Sequence, residues 1–363
     1  MSGHGIMSGH GMRSGLAVCA TALLVSAAAA QTPPAASPPA ASKPAAPKAA
    51  APKPAAQAPA KPAASHPADP AAASAPDGSG QPLDLAFGAF QRGYFLTAFH
   101  EATKRINATQ DPTAMTLLGE LYANGLGVPA EDLKAAEWYS LAAARGDPAA
   151  MFALAIFRFS GRGGPRDRDE AARLLASAAK LGHAAAAYDL GLLYLDGQQF
   201  PQDFARAAEL FRGAANAGNA EAQYALATLY KEGRGVPKDP KEAARLLRLA
   251  AIAEIVDAQT EYAIALFNGT GVAKDEAAAA KLFYRAAVRG NPIAQNRLAR
   301  LLSAGRGVAA DPVQAIKWHL IAKAGGASDA YLDDFAEQQT PEVRANAEKA
   351  AQPWINVIRL SRS

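Results

Sequence analysis

Apolar residues recur at three- and four-residue steps along most of the second half of the chain, and this spacing predicts amphipathic helices. In the first example, Leu118, Leu121 and Tyr122 share one face of a helix predicted over residues 113–124. Gly125 follows directly and is expected to end this helix, because glycine accepts the positive φ of a helix C-terminal cap. A second helix follows each turn, so the pattern predicts helix pairs.

A period of 36 residues unites these pairs. A second glycine follows the first by two residues in five of the six copies, and Gln199 replaces it in the third. The first glycines keep the spacing without insertion: Gly125, Gly161, Gly197, Gly233, Gly269 and Gly305. A repeat of this length and constancy predicts an all-α solenoid of stacked antiparallel helix pairs.

The second helix of each repeat is expected to begin after an acidic position that caps it or favours its N-terminal dipole. Three positions, beginning at Ala114, Ala135 and Ala142, are alanine in all six repeats, which lets neighbouring helices approach closely. Larger residues, in a column that begins at Trp138, fill the space between layers. The acidic column comprises Glu131, Asp167, Asp203, Asp239, Asp275 and Asp311.

Residues 1–30 are predicted to be a signal peptide that is cleaved near Ala30. Its apolar run, 16–30, is shorter than the roughly 20 residues that a transmembrane helix needs. An uncleaved anchor stays an alternative, as does a lipid anchor at Cys19, which the bulky Val18 before it disfavours. Met12 is the expected start. The mature chain would then contain no cysteine, which excludes disulfides and thiolate catalysis.

Residues 31–80 contain 13 prolines and no aromatic or large aliphatic side chain. Such a Pro/Ala/Lys-rich segment cannot form a core, so we expect a disordered, semi-rigid spacer. Its lysines serve solubility or make weak contact with anionic cell-wall polymers. We expect residues 81–112 to form a shortened N-terminal repeat unit.

The formal net charge of +4 lies mostly outside the helical region. Arg13 and the spacer account for three of these charges and leave residues 81–363 at +1. Without a basic footprint, nucleic acid is not an expected partner. No metal-binding, nucleophile-elbow or phosphate-loop motif occurs, so we predict no enzyme activity, cofactor or metal site.

One sequence pattern resembles a known family. The residues A-x-x-x-L-G-x-x-Y-x-x-G-x-G-V-P from Ala114 to Pro129, followed by K-A-A-x-W-Y-x-x-A-A-x-x-G from Lys134 to Gly146, are similar to the Sel-one-like repeat (SLR) family of the tetratricopeptide repeat superfamily. The resemblance covers 113–328 and implies a right-handed superhelix whose first helices line a concave groove. Residues 329–363 are then the C-terminal helical cap, which Trp354 seals.

The resemblance also implies a function, because members usually serve as adaptors or regulators of other proteins. Cysteine-rich secreted relatives are linked to β-lactam binding, but this chain lacks those cysteines. We therefore predict a periplasmic or secreted adaptor in the bacterial cell envelope, without a stable membrane span, that binds a peptide or helix of a partner protein. The alternatives are a secreted effector that binds host proteins and a peptidoglycan- or β-lactam-active enzyme.

In the superfamily that this chain resembles, first-helix residues outside the core line the groove. In this chain the resemblance implies three such columns, which begin at Thr116, Glu120 and Ala123. A contiguous apolar stripe there suggests a buried contact with a partner. Tighter packing between repeats, which would hide these side chains, is the other interpretation. The predicted partner-binding residues are Phe152, Ile156, Phe159, Tyr188, Leu192, Leu195, Tyr224, Lys231, Ile264 and Phe267.

Overall fold

The computed structural model describes residues 84–360, in which sixteen α-helices and no strand occur. The predicted signal peptide and the spacer over 31–80 lie outside these residues. The chain divides into two regions, and the boundary lies between Glu101 and Ala102. The described part of the first region contains α1 (Leu85–Gln91) and the start of α2 (Phe95–Thr109). Asp84 caps α1 by accepting the Phe87 N–H at 3.0 Å.

The second region contains six consecutive pairs of helices, each helix thirteen residues long. Every first helix packs against its own second helix, and every second helix packs against the first helix of the next pair. The result is the predicted right-handed α-solenoid. The helices are α3 (Pro112–Asn124), α4 (Asp132–Ala144), α5 (Pro148–Ser160), α6 (Arg168–Lys180), α7 (Ala184–Asp196), α8 (Phe204–Asn216), α9 (Ala220–Glu232), α10 (Pro240–Ile252), α11 (Val256–Asn268), α12 (Glu276–Val288), α13 (Pro292–Ala304) and α14 (Pro312–Ala324).

Both ends of the helices have local causes. The first glycine of each repeat adopts the left-handed conformation, as Gly125 does at φ 64°, and its N–H bonds to the carbonyl four residues earlier. The acidic column caps five of the six second helices; in α6, for example, the Glu170 N–H donates to Asp167 at 2.8 Å. Glu131 makes no such bond at the start of α4 and instead accepts from Lys134 at 2.9 Å.

The core follows the alanine columns, whose members are at most 4% exposed in every repeat. The large side chains that fill the core lie one residue beyond the expected column, which begins at Trp138 and is only partly buried in four of six repeats. Tyr139 and its equivalents are the fully enclosed set. Close fit is evident in the first repeat, where a Cβ on Gly119 would lie 2.5 Å from the Tyr139 ring. That set is Tyr139, Leu175, Phe211, Leu247, Phe283 and His319.

The second glycine of each turn has a role that the sequence pattern does not reveal. A Cβ on Gly271 would overlap the carbonyl oxygen of Pro240, at the start of the second helix in the preceding repeat. Gly307 lies in the same relationship to Glu276. The turn therefore joins consecutive repeats through backbone contact. In the third repeat, Gln199 takes this position and hydrogen-bonds through its side chain to Asp169.

Two further helices follow the last repeat. The short helix α15 (Ala330–Glu337) packs on α13 and α14, and α16 (Pro341–Leu360) packs along α14. The Trp318 and Trp354 rings meet edge to face at 5.5 Å, so α16 covers apolar surface that another repeat would otherwise cover. No helix within residues 84–360 is long and apolar enough to span a membrane.

Candidate functional site

The predicted groove residues lie on the first helices α5, α7, α9 and α11. Lys231 is exposed, and the nine apolar or aromatic side chains are all half-buried. Eight of these nine pack against the buried core, with Ile156 as the exception. Each of the eight thus supports packing between repeats and also keeps area open to solvent. Partial exposure is compatible with both interpretations of the apolar stripe, so partner binding there stays a prediction.

In the second repeat, the Phe152 ring is fixed by the histidine that directly precedes α7. It stacks on the His183 imidazole at 4.7 Å between ring centres. The Ala186 N–H donates to His183 Nδ1 at 3.2 Å, which caps α7. Burial lowers the pKa of His183, which favours the neutral imidazole that can accept this bond. His183 therefore has a structural role.

Tyrosines and carboxylates share the middle of the first-helix face. Burial, together with the charges of Asp189 and Glu221, raises the pKa of Tyr188 to about 12. Burial also raises the pKa of Tyr224, with contributions from Asp257 and other nearby acids. Both phenols are therefore neutral hydrogen-bond donors at neutral pH. Several carboxylates therefore lie near these two phenols.

Asp189 is the unusual member of this group. It is partly buried, and neither a hydrogen-bond donor nor a cation pairs with it among residues 84–360. Burial, and next the negative charge of Glu221, raise its pKa to about 7. Glu261, two repeats further along the same column, is instead paired with Lys231 at 3.0 Å. Lys231, a predicted groove residue, therefore offsets one of the acids.

A pocket of about 320 Å³ opens at the C-terminal end of this face, between α11, α13 and α15. Ile264 and Phe267, both predicted groove residues, form part of its wall. The buried Phe283 and Leu301 form apolar wall beside them, and Tyr331 of α15 closes one side. The remaining lining residues are Asn268, Arg297, Arg300, Ala304 and Arg306.

Three arginines line this pocket, and two of them are neutralised. Arg300 donates to Asp329 from Nε at 2.6 Å and from Nη2 at 2.8 Å, and its guanidinium lies 5.2 Å from the Tyr331 ring. Arg306 pairs with Glu276 and lies 4.4 Å from the Phe267 ring. These ion pairs hold the two aromatic walls in place.

Arg297 differs from both, because it is exposed and has no hydrogen bond or ion pair within residues 84–360. It occupies the column of Asp189 and Glu261, so the charge of this column changes sign at the last repeat. Asp189, Arg297 and Tyr331 are not among the residues that the sequence pattern predicts. Asp189 and Arg297 lie in a fourth first-helix column, one residue after the column of Thr116. Their charge is the sequence feature that could have identified them. Tyr331 lies outside the repeats, and no periodicity could place it.

Comparison with protein families finds six Sel1 repeats in consecutive order, which together cover more than half of the chain. The matches fall at residues 112–147, 148–183, 184–219, 220–253, 256–291 and 292–326. The chain belongs to the Sel1 repeat family. Sel1 repeat proteins generally mediate protein–protein interactions, and the family is typically non-enzymatic. The predicted family and fold are thereby confirmed.

Solved Sel1 repeat structures are similar to this chain. A Sel1 repeat protein from Oxalobacter formigenes is 27% identical with a TM-score of 0.55; the match covers 66% of this chain and 97% of the other. A protective antigen of uropathogenic Escherichia coli with an SLR fold is also 27% identical, with a TM-score of 0.52 and 72% of this chain covered. This chain spans only 64% of that antigen. A sequence comparison with curated proteins finds no match.

The described residues contain no metal-binding cluster, and the buried histidine of the last repeat has a structural role. Within residues 84–360, no group of three or more histidine, cysteine or acidic side chains is arranged to hold a metal ion. The buried His319 bonds through Nε2 to Asp333 at 2.8 Å, which joins the last repeat to α15. Asp333 also accepts from Lys323 at 2.7 Å. These contacts give both residues a structural explanation.

Proposed function

We propose that this Sel1 repeat protein is an adaptor or regulator that holds a segment of a partner protein along its first-helix face, in the concave groove of the superhelix. The supporting observation is the row of half-buried aromatic and aliphatic side chains on α5, α7, α9 and α11. Amphipathic side chains such as tyrosine supply large contact area and a hydrogen-bonding tip, which suits protein recognition. Tyr188 and Tyr224, protonated at neutral pH, fit this role.

The test is site-specific photocrosslinking in intact cells. A photoreactive phenylalanine analogue is placed at Tyr188 or at the exposed Lys231 on the first-helix face, and crosslinked peptides are identified by mass spectrometry. Tyr284 is the matched control, because it is a 54% exposed tyrosine on the second helix α12. We expect one partner segment from Tyr188 and Lys231 and none from Tyr284. Equal products from all three positions would contradict groove binding.

A second arm separates binding from packing. Phe159→Asp together with Phe267→Asp introduces two charges into the apolar row, and we expect loss of the crosslinked partner with helix content by circular dichroism near wild type. Both rings also pack partly against the core. Unfolding of the double variant would therefore show that these rings are needed for packing between repeats. The photocrosslinking result at Tyr188 and Lys231 would then be the test of partner binding.

We further propose that the protein acts in the bacterial cell envelope, after removal of residues 1–30. The support is the sequence pattern of that segment, with its apolar run followed by small residues. N-terminal sequencing of the purified mature protein tests cleavage near Ala30. Cell fractionation tests the compartment: the periplasmic fraction supports the proposal, and the culture medium favours the secreted effector. A cytoplasmic protein that retains Met12 would refute it.

Binding without catalysis is part of the same proposal. Its support is the family assignment, together with the absence of a catalytic motif from the sequence. A fluorescent penicillin should not label the purified protein covalently, whereas a penicillin-binding protein treated in parallel should be labelled. Stoichiometric labelling would restore the β-lactam-active alternative.

A further inference from the structure

We infer that the pocket between α11, α13 and α15 is the subsite of the groove that selects an acidic residue next to an apolar one in the partner segment. The inference rests on the proposed function and adds the chemistry of the bound segment. The occupant is a protein segment in which an aspartate or glutamate side chain pairs with Arg297 and a neighbouring apolar side chain fills the pocket.

The size and lining of the pocket support the apolar half of this assignment. A volume of about 320 Å³ lies at the small end of the range for ligand sites. It suits the insertion of a side chain better than the enclosure of a large cofactor. Ile264, Phe267 and Leu301 offer apolar contact there, and burial of a leucine- or phenylalanine-sized side chain against such walls is favourable.

The walls are also fixed before a partner arrives. The Phe267 ring is held by the Arg306 guanidinium, and the Tyr331 ring by that of Arg300. Each of these guanidinium groups is in turn held by a carboxylate, Glu276 or Asp329. A pocket whose side chains are already ordered loses less conformational entropy on binding.

Charge supplies the acidic half of the assignment. Of the three arginines in the lining, only Arg297 is without a carboxylate partner among residues 84–360. The pocket therefore has one uncompensated positive charge, on a planar guanidinium that can bind a carboxylate through two nitrogens. Asn268, also exposed in the lining, can hydrogen-bond to the partner's backbone. A lysine or arginine at this position of the partner would be repelled.

The test uses the full chain and a phage-displayed library of random seven-residue peptides. Wild type, Arg297→Glu and a control, Arg248→Glu, are screened in parallel, where Arg248 is an exposed arginine on the second helix α10. We expect wild type and the control to enrich peptides with Asp or Glu beside Leu, Phe or Tyr. Arg297→Glu should instead enrich peptides with Lys or Arg at the acidic position.

The affinity change is then measured with one enriched peptide labelled with fluorescein. Loss of a hydrogen-bonded ion pair predicts that Arg297→Gln weakens binding by roughly 10- to 100-fold, while Arg248→Gln leaves it unchanged. Replacement of the peptide's acidic residue by lysine should restore binding to Arg297→Glu. Because Arg297 is exposed, thermal unfolding of the variants should match that of wild type, which separates this effect from misfolding.

Four results would overturn the inference. If wild type enriches peptides without an acidic preference, or if Arg297→Glu enriches the same peptides as wild type, the groove binds segments but this subsite is misassigned. If neither wild type nor any variant enriches a peptide, the proposed groove function itself fails. If Arg297→Glu changes the oligomeric state in sedimentation, the occupant is a second copy of this chain.

Discussion

Two nitrogens of the Arg300 guanidinium donate to the two carboxylate oxygens of Asp329, at 2.6 and 2.8 Å. Asp329 precedes the first residue of α15, so this pair fixes the start of the helix that carries Tyr331. Asn296 donates to the same carboxylate at 2.8 Å. The last full repeat therefore sets the position of the helix that closes the pocket.

We predict that Asp329→Asn loosens α15 at neutral pH. Hydrogen bonds from Arg300, and smaller effects that include the Asn296 bond, lower the pKa of Asp329 to about 2. A lowered pKa stabilises the folded state above the ordinary pKa near 3.8, and this stabilisation is lost as pH falls towards 2. We expect a loss of about 1 to 2 kcal/mol at pH 7, since solvent around Arg300 screens the pair. Hydrogen exchange of the α15 amides measures it.

The matched control for this variant is Asp334→Asn, an exposed carboxylate on the same helix. It should leave exchange in α15 near wild type at pH 7. The difference between Asp329→Asn and wild type should also shrink in acid as the wild-type carboxylate becomes protonated. An equal difference at pH 7 and pH 2 would show that the ion pair does not hold α15.

Asp189→Asn is predicted to stabilise the protein at neutral and alkaline pH. The raised pKa, about 7, means that the folded state binds the proton more tightly than the unfolded chain. The stability of wild type relative to the variant therefore falls as pH rises from about 4 to about 7. This relative stability stays low at higher pH. We expect a gain of about 1 to 2 kcal/mol at pH 8 and little at pH 4, measured by urea denaturation.

Glu221→Gln is the control for charge, because it removes one negative charge from an exposed neighbour. Its effect should stay below about 0.5 kcal/mol. If Asp189→Asn destabilised the fold at pH 8, the carboxylate would have a favourable partner that the structure does not show.

Gly271→Ala should destabilise the stack by roughly 2 to 4 kcal/mol, because the methyl group would overlap the backbone of Pro240 and the residue has φ of 72°. Gly213→Ala is the matched control within α8, where no atom lies within 4 Å of an added Cβ. That change should stabilise by about 0.5 to 1 kcal/mol through helix propensity. Urea denaturation of both variants measures the contrast, and similar losses would disprove the proposed contact between repeats.

Glu254→Gly should stabilise the fourth repeat. Glu254 has φ of 65° at a position where the other repeats have glycine, and side chains disfavour this conformation by about 1 kcal/mol. The bond from Arg289 Nη1 to the Glu254 carbonyl, at 2.7 Å, should remain. The ion pair of Arg289 with the Glu254 carboxylate, at 3.6 Å, is lost at little cost because both side chains are exposed. The reverse change, Gly290→Glu at φ of 90°, should lose a similar amount in thermal denaturation. Opposite signs for the two variants are the required result.

Periodicity explains how much of this fold the sequence could predict. Glycine at Gly125 and aspartate at Asp167 act on backbone groups within four residues, so their roles follow from local rules. The role of Gly271 depends on a contact with the preceding repeat, some thirty residues away, and local rules say nothing about it. The second-glycine column, with glycine in five of six repeats, was visible as a pattern, but its packing reason was not.

The candidate site was harder to predict for the same reason. Ile264 and Phe267 could be predicted from the sequence because they occupy positions that recur in every repeat. The pocket exists only where the repetition stops, since Tyr331 comes from a helix with its own spacing. Arg297 is recognisable as unpaired only when the partners of Arg300 and Arg306 are known. The end of this repeat array is therefore the part whose binding surface depends most on the three-dimensional structure.

The second glycine contacts the repeat before it in the second, fourth, fifth and sixth repeats, and this contact gives the array a direction. In synthesis from the N-terminus, a newly made turn, such as the one with Gly307, would complete the packing of its predecessor at Glu276. Removal of the last repeat would therefore uncover the second helix before it, while every remaining junction would keep its own glycine contact. Repeats that emerge from the N-terminus onward would thus be secured one after another.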